Sequence, residues 1–218
     1  SSRSGSADVL EALGVKIDLL PKVVAECVRV TGVGFMFAQT YHPAMKFAAP
    51  LRREIGIRTV FNVLGPLTNP ACVKRQVVGV GRTELTETMA QVLSRLGAKH
   101  ALVVHGAEGL DELSISGTSL VMESRDGGLS RYEIEPREFG LDISPIKAIK
   151  GGSPDQNASI IRSVFDGESG ACRDVLLLNS GAGLFVAGLA GDIATGVSMA
   201  ADSIDSGAAS GALTSLIE

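Results

Sequence analysis

The sequence predicts an α/β fold: a mostly parallel but mixed central sheet flanked by helices. Three observations carry this reading. Two apolar runs, residues 76–81 and 101–104, enclose one amphipathic helix pattern within about thirty residues, a strand–helix–strand unit that implies parallel pairing. Asp126-Gly127-Gly128 sits between two β-like segments, residues 120–123 and 130–134, as in a hairpin, which gives the sheet an antiparallel portion. Helix signals then precede and follow this block on both sides.

Taken in order, Ser6 is a suitable N-cap for a helix ending at Leu13, with Asp8 in its first turn and Gly14 as its stop. Pro21 opens a second helix to about Val30. The segment from His42 to Pro70 is the most shaped in the chain. His42-Pro43 enforces an extended entry. Ala44, Ala48, Leu51 and Ile55 then recur at helical spacing up to Gly56, and breaks follow at Gly65-Pro66 and Asn69-Pro70. Thr83 caps the clearest helix, whose apolar positions Leu85, Met89, Val92, Leu93 and Leu96 share one face ahead of Gly97. The continuous run 101–104 fits a strand buried on both faces. Ser153-Pro154 starts a helix through Phe165, and the Ala-, Gly- and Leu-rich remainder from Cys172 fits two or three closely packed helices. No repeat or linker divides the chain, which we read as a single α/β domain over residues 1–218.

Bulk properties narrow the function. With 218 residues, 45% of them hydrophobic, there is enough material for one substantial core. A net charge of −4 argues against binding along a nucleic-acid backbone. Basic residues cluster only at Arg52-Arg53 with Arg58 and at Lys74-Arg75, a scale suited to small anions. Cys27, Cys72 and Cys172 have no metal-ligand spacing and read as small buried hydrophobes in a reducing cytoplasm. The most apolar stretch, residues 175–189, is interrupted by Asn179, Ser180 and glycines, so no membrane span is expected. Asn179-Ser180-Gly181-Ala182-Gly183 lacks the lysine of a phosphate loop and is read as close helix packing. His100 and His105 are read as structural.

Three motifs carry a family resemblance: HPAMKFAAPLRREIGIRTVFNVLGPLTNP from His42 to Pro70, Ser1-Ser2-Arg3-Ser4-Gly5-Ser6-Ala7-Asp8, and Gly109-Leu110-Asp111-Glu112-Leu113-Ser114. In this order and spacing they resemble the anthranilate phosphoribosyltransferases of tryptophan biosynthesis, over essentially the whole chain. The resemblance implies the nucleoside phosphorylase/phosphoribosyltransferase α/β fold. It also implies transfer of phosphoribosyl from 5-phosphoribosyl 1-diphosphate to the amine of anthranilate, with release of diphosphate and with Mg²⁺ as cofactor. Asp111 and Glu112 fall on the family's metal-binding acidic pair, a role that suits hard oxygen ligands on a loop. Arg52 aligns with the anthranilate-binding arginine, whose guanidinium fork matches a carboxylate. His42, Gly65 and Pro66 would line the same pocket. Ser1, Ser2 and Ser6 align with positions that hold the diphosphate donor.

The chain starts at Ser1, within a motif, and reads as truncated at its N-terminus relative to the family. The resemblance places a helical region, a glycine-rich diphosphate loop and the usual homodimer contact before that point. From this we expect the 218-residue piece alone to be inactive, to have lost the dimer contact, and to expose apolar surface. The remaining expectations are small-molecule substrates only, no nucleic acid, no membrane and a cytoplasmic location. Two other readings stay open. A nucleoside phosphorylase on the same fold would have little use for Arg52, because a pyrimidine base has no carboxylate. A nucleic-acid-binding relative is disfavoured by the acidic balance and the retained acid pair.

Overall fold

A computed structural model describes residues 4–42 and 61–218. In chain order its elements are α1 (Ser6–Leu13), α2 (Pro21–Thr31), α3 (Ala38–Tyr41), α4 (Phe61–Leu67), β1 (Arg75–Gly79), α5 (Glu84–Arg95), β2 (His100–His105), β3 (Ser119–Arg125), β4 (Gly128–Ile134), α6 (Pro154–Phe165), α7 (Ala171–Ala187), α8 (Ile193–Asp205) and α9 (Ala208–Ile217). They group into two compact units, Pro66–Lys150 with Glu168–Ser203, and Ser1–Gly65 with Gly151–Gly167 and Ile204–Glu218.

The first unit is the sheet, in the order β1-β2-β3-β4. β1 and β2 run parallel, with Arg75 opposite His100 and Gly79 opposite Val104. The β2–β3 and β3–β4 pairs are antiparallel, so the mixed sheet read from the sequence is the one that forms. The hairpin turns at Asp126 and Gly127, whose φ values of 49° and 84° put both central residues in the left-handed region that a two-residue turn of this hand demands. Ala101, Leu102, Val103 and Val104 are at most 1% exposed, as a strand covered on both faces requires.

Those covers are α5 and α7. α5 lies over the face of Leu120, Met122 and Arg131, and α7 over the face of Arg75 and His100. The buried face of α5 is Thr86, Met89, Ala90 and Leu93; Leu96 lies just beyond the helix and is 55% exposed. The apolar stripe is therefore turned from the one the hydrophobic residues alone suggest. Thr86 joins the core because its hydroxyl donates to Thr83 O (2.7 Å), a bond that replaces its water. α7 and α8 approach closely at Gly181 and Gly196, where a Cβ on Gly196 would lie 2.3 Å from Gly181 O. This matches the packing role expected for the glycines of residues 179–183. His100 is buried and bonded to Glu123 (2.8 Å), and His105 Nδ1 lies 2.7 Å from Val80 O, both structural as expected.

The second unit is helical, with α1 on α6 and α9 on α2 and α6 around Leu13, Val24, Ala158 and Val164. Gly5, not Ser6, is the N-cap of α1: Ser6 is already helical, and Asp8 accepts from Gly5 N–H at 2.7 Å. An acid three residues inside the helix thus ties down the N-cap's own N–H, and no serine hydroxyl caps the helix. Ser4 sits in a small network, accepting from Asn157 Nδ2 (2.8 Å) and donating to Gly152 O (3.3 Å).

Two further expectations change. α4 runs through Gly65-Pro66 to Leu67, and the chain turns only at Asn69, whose side chain accepts from Ala71 N–H at 2.9 Å. A proline near a short helix's end removes little, since few turns remain to be bonded. Cys72 is exposed and Cys27 and Cys172 are partly so, all free thiols, so they are not the buried hydrophobes anticipated. The helix pattern of residues 44–55 lies outside the described residues.

Candidate active site

The acid pair sits where open α/β sheets place their ligands, beyond the carboxyl ends of parallel strands. β2 ends at His105, and the chain folds back through a short 3₁₀ turn, Ala107–Gly109, before Asp111 and Glu112. Glu108 and Gly109 both have positive φ, 60° and 80°, which makes the reversal tight. Gly106 N–H donates to Leu110 O (2.8 Å) and closes it.

Two glycines seat the pair. A Cβ on Gly79, the last residue of β1, would fall 1.5 Å from Asp111 O, and one on Gly106 would fall 2.4 Å from Glu112 O. The loop backbone thus rests directly on strand backbone, and only glycine permits that approach. Behind the pair, Leu113 and Ile115 are fully buried. From the middle of α7, Asn179 holds both backbone groups of Leu113: its Oδ1 accepts from Leu113 N–H and its Nδ2 donates to Leu113 O, each at 2.9 Å. Ser119 Oγ accepts from the buried Ser114 N–H (2.9 Å) and continues the support.

The carboxylates themselves reach solvent. Glu112 is held above the ordinary carboxylate range, first by partial desolvation and second by the negative charge of Asp111. Among the described residues neither acid has a cationic partner within ion-pair distance, and no third His, Cys, Asp or Glu joins them. Two like charges side by side on one loop suit Mg²⁺, which takes one or two carboxylates and completes its octahedron with water and substrate phosphate. The donor set therefore fits the metal.

The other expected site residues are distributed as follows. Ser1, Ser2 and Arg52 lie outside the described residues. Ser6 is exposed on the first turn of α1, and His42 is half-buried just after α3. Gly65 is exposed and Pro66 half-buried, both within α4. Ser6, His42 and Gly65 belong to the helical unit, and Pro66, Asp111 and Glu112 to the sheet unit. The residues missed by the sequence reading are Asn179, Gly79 and Gly106. A polar residue in the most apolar helix of the chain was the available signal for Asn179, since a buried amide needs partners.

Comparison with known proteins bears on what this site belongs to. The family model described as "Glycosyl transferase family, a/b domain" matches residues 1–210. An anthranilate phosphoribosyltransferase of Thermomicrobium roseum is 54% identical over 212 residues, covering 96% of this chain and 61% of that protein. One from Rhodopseudomonas palustris is 52% identical over 217 residues, covering 100% and 64%. Among solved structures, anthranilate phosphoribosyltransferase from Thermus thermophilus superposes with a TM-score of 0.93 at 45% identity, over 99% of this chain and 64% of that one. The Saccharomyces cerevisiae enzyme in complex with PRPP and Mg gives 0.89 at 28% identity, over 98% and 62%. The chain thus spans a little over three fifths of the length of these relatives. Motifs, sheet and family match agree, and the chain belongs to the glycosyl transferase family as its α/β domain.

Proposed function

We propose that this chain is the α/β portion of an anthranilate phosphoribosyltransferase, moving phosphoribosyl from 5-phosphoribosyl 1-diphosphate to the amine of anthranilate. The observation that carries the reading is the acid pair: two carboxylates without a cationic partner among the described residues, at the carboxyl end of parallel strands, seated on glycine and tied from behind by Asn179. The high identity to enzymes of that name supports it.

Asp111 and Glu112 hold Mg²⁺ in this reading. When bound, the metal supplies positive charge against the diphosphate leaving group. The rest falls to positioning. Ser1, Ser2 and Ser6 bind the donor, with Ser6 at the start of α1 where backbone N–H groups face an anion. Arg52 pairs with the anthranilate carboxylate and turns the amine toward the anomeric carbon. His42, Gly65 and Pro66 border the aromatic ring. No protein nucleophile is required, because the amine itself attacks. In this reading the enzyme works in the cytoplasm, and the family's homodimer contact is absent from the 218-residue chain. Among the described residues, no helix is long and apolar enough to cross a membrane.

The test is loss of anthranilate fluorescence on mixing anthranilate, donor and Mg²⁺ with this chain supplemented by the N-terminal region of its relatives. Asp111→Asn and Glu112→Gln each abolish turnover while the fold is retained. Turnover unchanged in both variants would remove the acid pair from the reaction. Arg52→Ala separates this reading from a phosphorylase: it raises KM for anthranilate here and is near neutral for a nucleoside substrate.

A further inference from the structure

The sheet has a second charged feature, at the opposite end of β2 from the acid pair. Five residue steps separate His100 from His105, roughly 17 Å of strand. At the His100 end lies a cavity of about 420 Å³, bordered by Arg75, Lys99, Arg125, Asp126 and Phe185 and by the turn Gly188–Gly191 after α7.

The pairing register explains how the charges meet. Arg75 is the β-partner of His100, and His100 is the partner of Arg125, so Arg75, His100 and Arg125 form one row across three strands. With strands about 4.8 Å apart, the two arginine Cα atoms stand roughly 10 Å from each other on one face. Lys99 adds a third cation. Like charges gathered along a row cost stability, and the chain as a whole is acidic, with 20 basic and 24 acidic residues. Among the described residues, none of the three cations forms an ion pair within 4 Å, Asp126 at the rim included.

The fold accounts for part of the cluster. One arginine nitrogen of Arg75 donates to Val186 O (2.8 Å) in the last turn of α7, where carbonyls favour a cation. Among the described residues, that leaves the other donors of Arg75 and all the side-chain donors of Lys99 and Arg125. Nor are the guanidinium groups left to wander. Arg125 lies over the ring of Phe185, 5.9 Å from its centroid, and Phe185 is fixed edge-on to the buried His100 at 4.8 Å. His100 is in turn tied to Glu123. The result is a concave surface with preordered cationic donors and one aromatic wall, of a size that small-molecule sites commonly have.

We propose that this cavity is a second binding site, for a small phosphate-bearing anion, with Arg75, Lys99 and Arg125 as its ligands. Guanidinium groups present forked donors that match phosphate oxygens, and the lysine adds a point charge. The Phe185 ring accommodates an apolar portion of the ligand. The site is independent of the reading given above for the acid pair.

Amide NMR titration of the 218-residue chain tests it, without divalent metal and with chloride adjusted to constant ionic strength. The probes are inorganic phosphate and phenyl phosphate. We expect saturable shifts at residues 99–101, 125–127 and 188–191, with phenyl phosphate binding more tightly. Lys99→Ala and Arg125→Ala each weaken binding by about tenfold, the loss of one charge-assisted bond. Asp126→Asn removes the acid at the rim and strengthens binding, a gain that damage to the fold does not produce. Shifts that rise linearly with concentration, that persist in the Lys99→Ala/Arg125→Ala double variant, or that appear only at residues 109–113 would overturn the proposal, as would weaker binding in Asp126→Asn.

Discussion

Asn179→Ala is the most informative single change, because its cost is readable from the structure. The side chain bridges α7 to the acid loop across 66 residues of sequence. Removing it orphans the N–H and the C=O of Leu113, a residue that is 0% exposed. A buried backbone group left without a partner costs about 1–3 kcal/mol. Two of them amount to roughly 2–6 kcal/mol, and a water entering the vacated space relieves part of this. We expect a loss of about 2–4 kcal/mol, concentrated at the loop. Asn179→Asp keeps the acceptor for Leu113 N–H but turns the donor into a second acceptor facing Leu113 O, so it is no milder. The assays are urea denaturation and hydrogen exchange at the Leu113 amide, which should move together. Exchange at Leu113 accelerates by one to three orders of magnitude, while amides of β3 and β4 change only as much as global stability does. A stability change under about 0.5 kcal/mol, the ordinary scatter for a surface substitution, with Leu113 still protected, would refute the claim that this amide holds the loop.

Other consequences follow from the same geometry. Gly79→Ala places a methyl 1.5 Å from Asp111 O, so the loop must retreat by about 2 Å to restore normal contact; Mg²⁺ affinity falls at least tenfold, measurable by calorimetry. Gly196→Ala drives the same kind of clash into α7, 2.3 Å from Gly181 O, and lowers the midpoint of thermal unfolding by several degrees without altering the local chemistry of the acid pair. Tyr132 is held well above the usual phenol range by burial, by the charge of Glu123 and by its bond to that carboxylate. A raised folded pKa means stability that is present below the unfolded value, near 10, and lost as pH climbs past it. Alkaline unfolding therefore begins above about pH 10, and Tyr132→Phe shifts its midpoint upward; an unchanged midpoint would show that Tyr132 does not govern it.

Much of the sheet was legible because its signals are local. The run 101–104 is apolar throughout, Asp126-Gly127 is a hairpin turn by its own chemistry, and the helix between β1 and β2 has both ends marked. What sequence reading missed depends on contacts between distant residues. Ser6 lost the capping role to Gly5 and Asp8 because the helix starts one residue earlier than the hydroxyl suggested. The buried stripe of α5 includes Thr86 in place of Leu96, since a hydroxyl bonded inside its own turn is cheap to bury. Within the candidate site, Asp111 and Glu112 were legible as a motif. Their support was not: Gly79 and Asn179 lie 32 and 68 residues from Asp111 in the numbering, and neither spacing announces a partner. The Arg75–His100–Arg125 row likewise exists only once the register is known.

The central claim is that a preformed loop presents Asp111 and Glu112 to a divalent cation. Titration with Mn²⁺, read by paramagnetic broadening of amide signals, tests it most directly and does not depend on turnover. The account predicts broadening centred on residues 109–113, competed away by Mg²⁺ and lost in Asp111→Asn and Glu112→Gln. Broadening centred elsewhere, or unchanged in both variants, would contradict it.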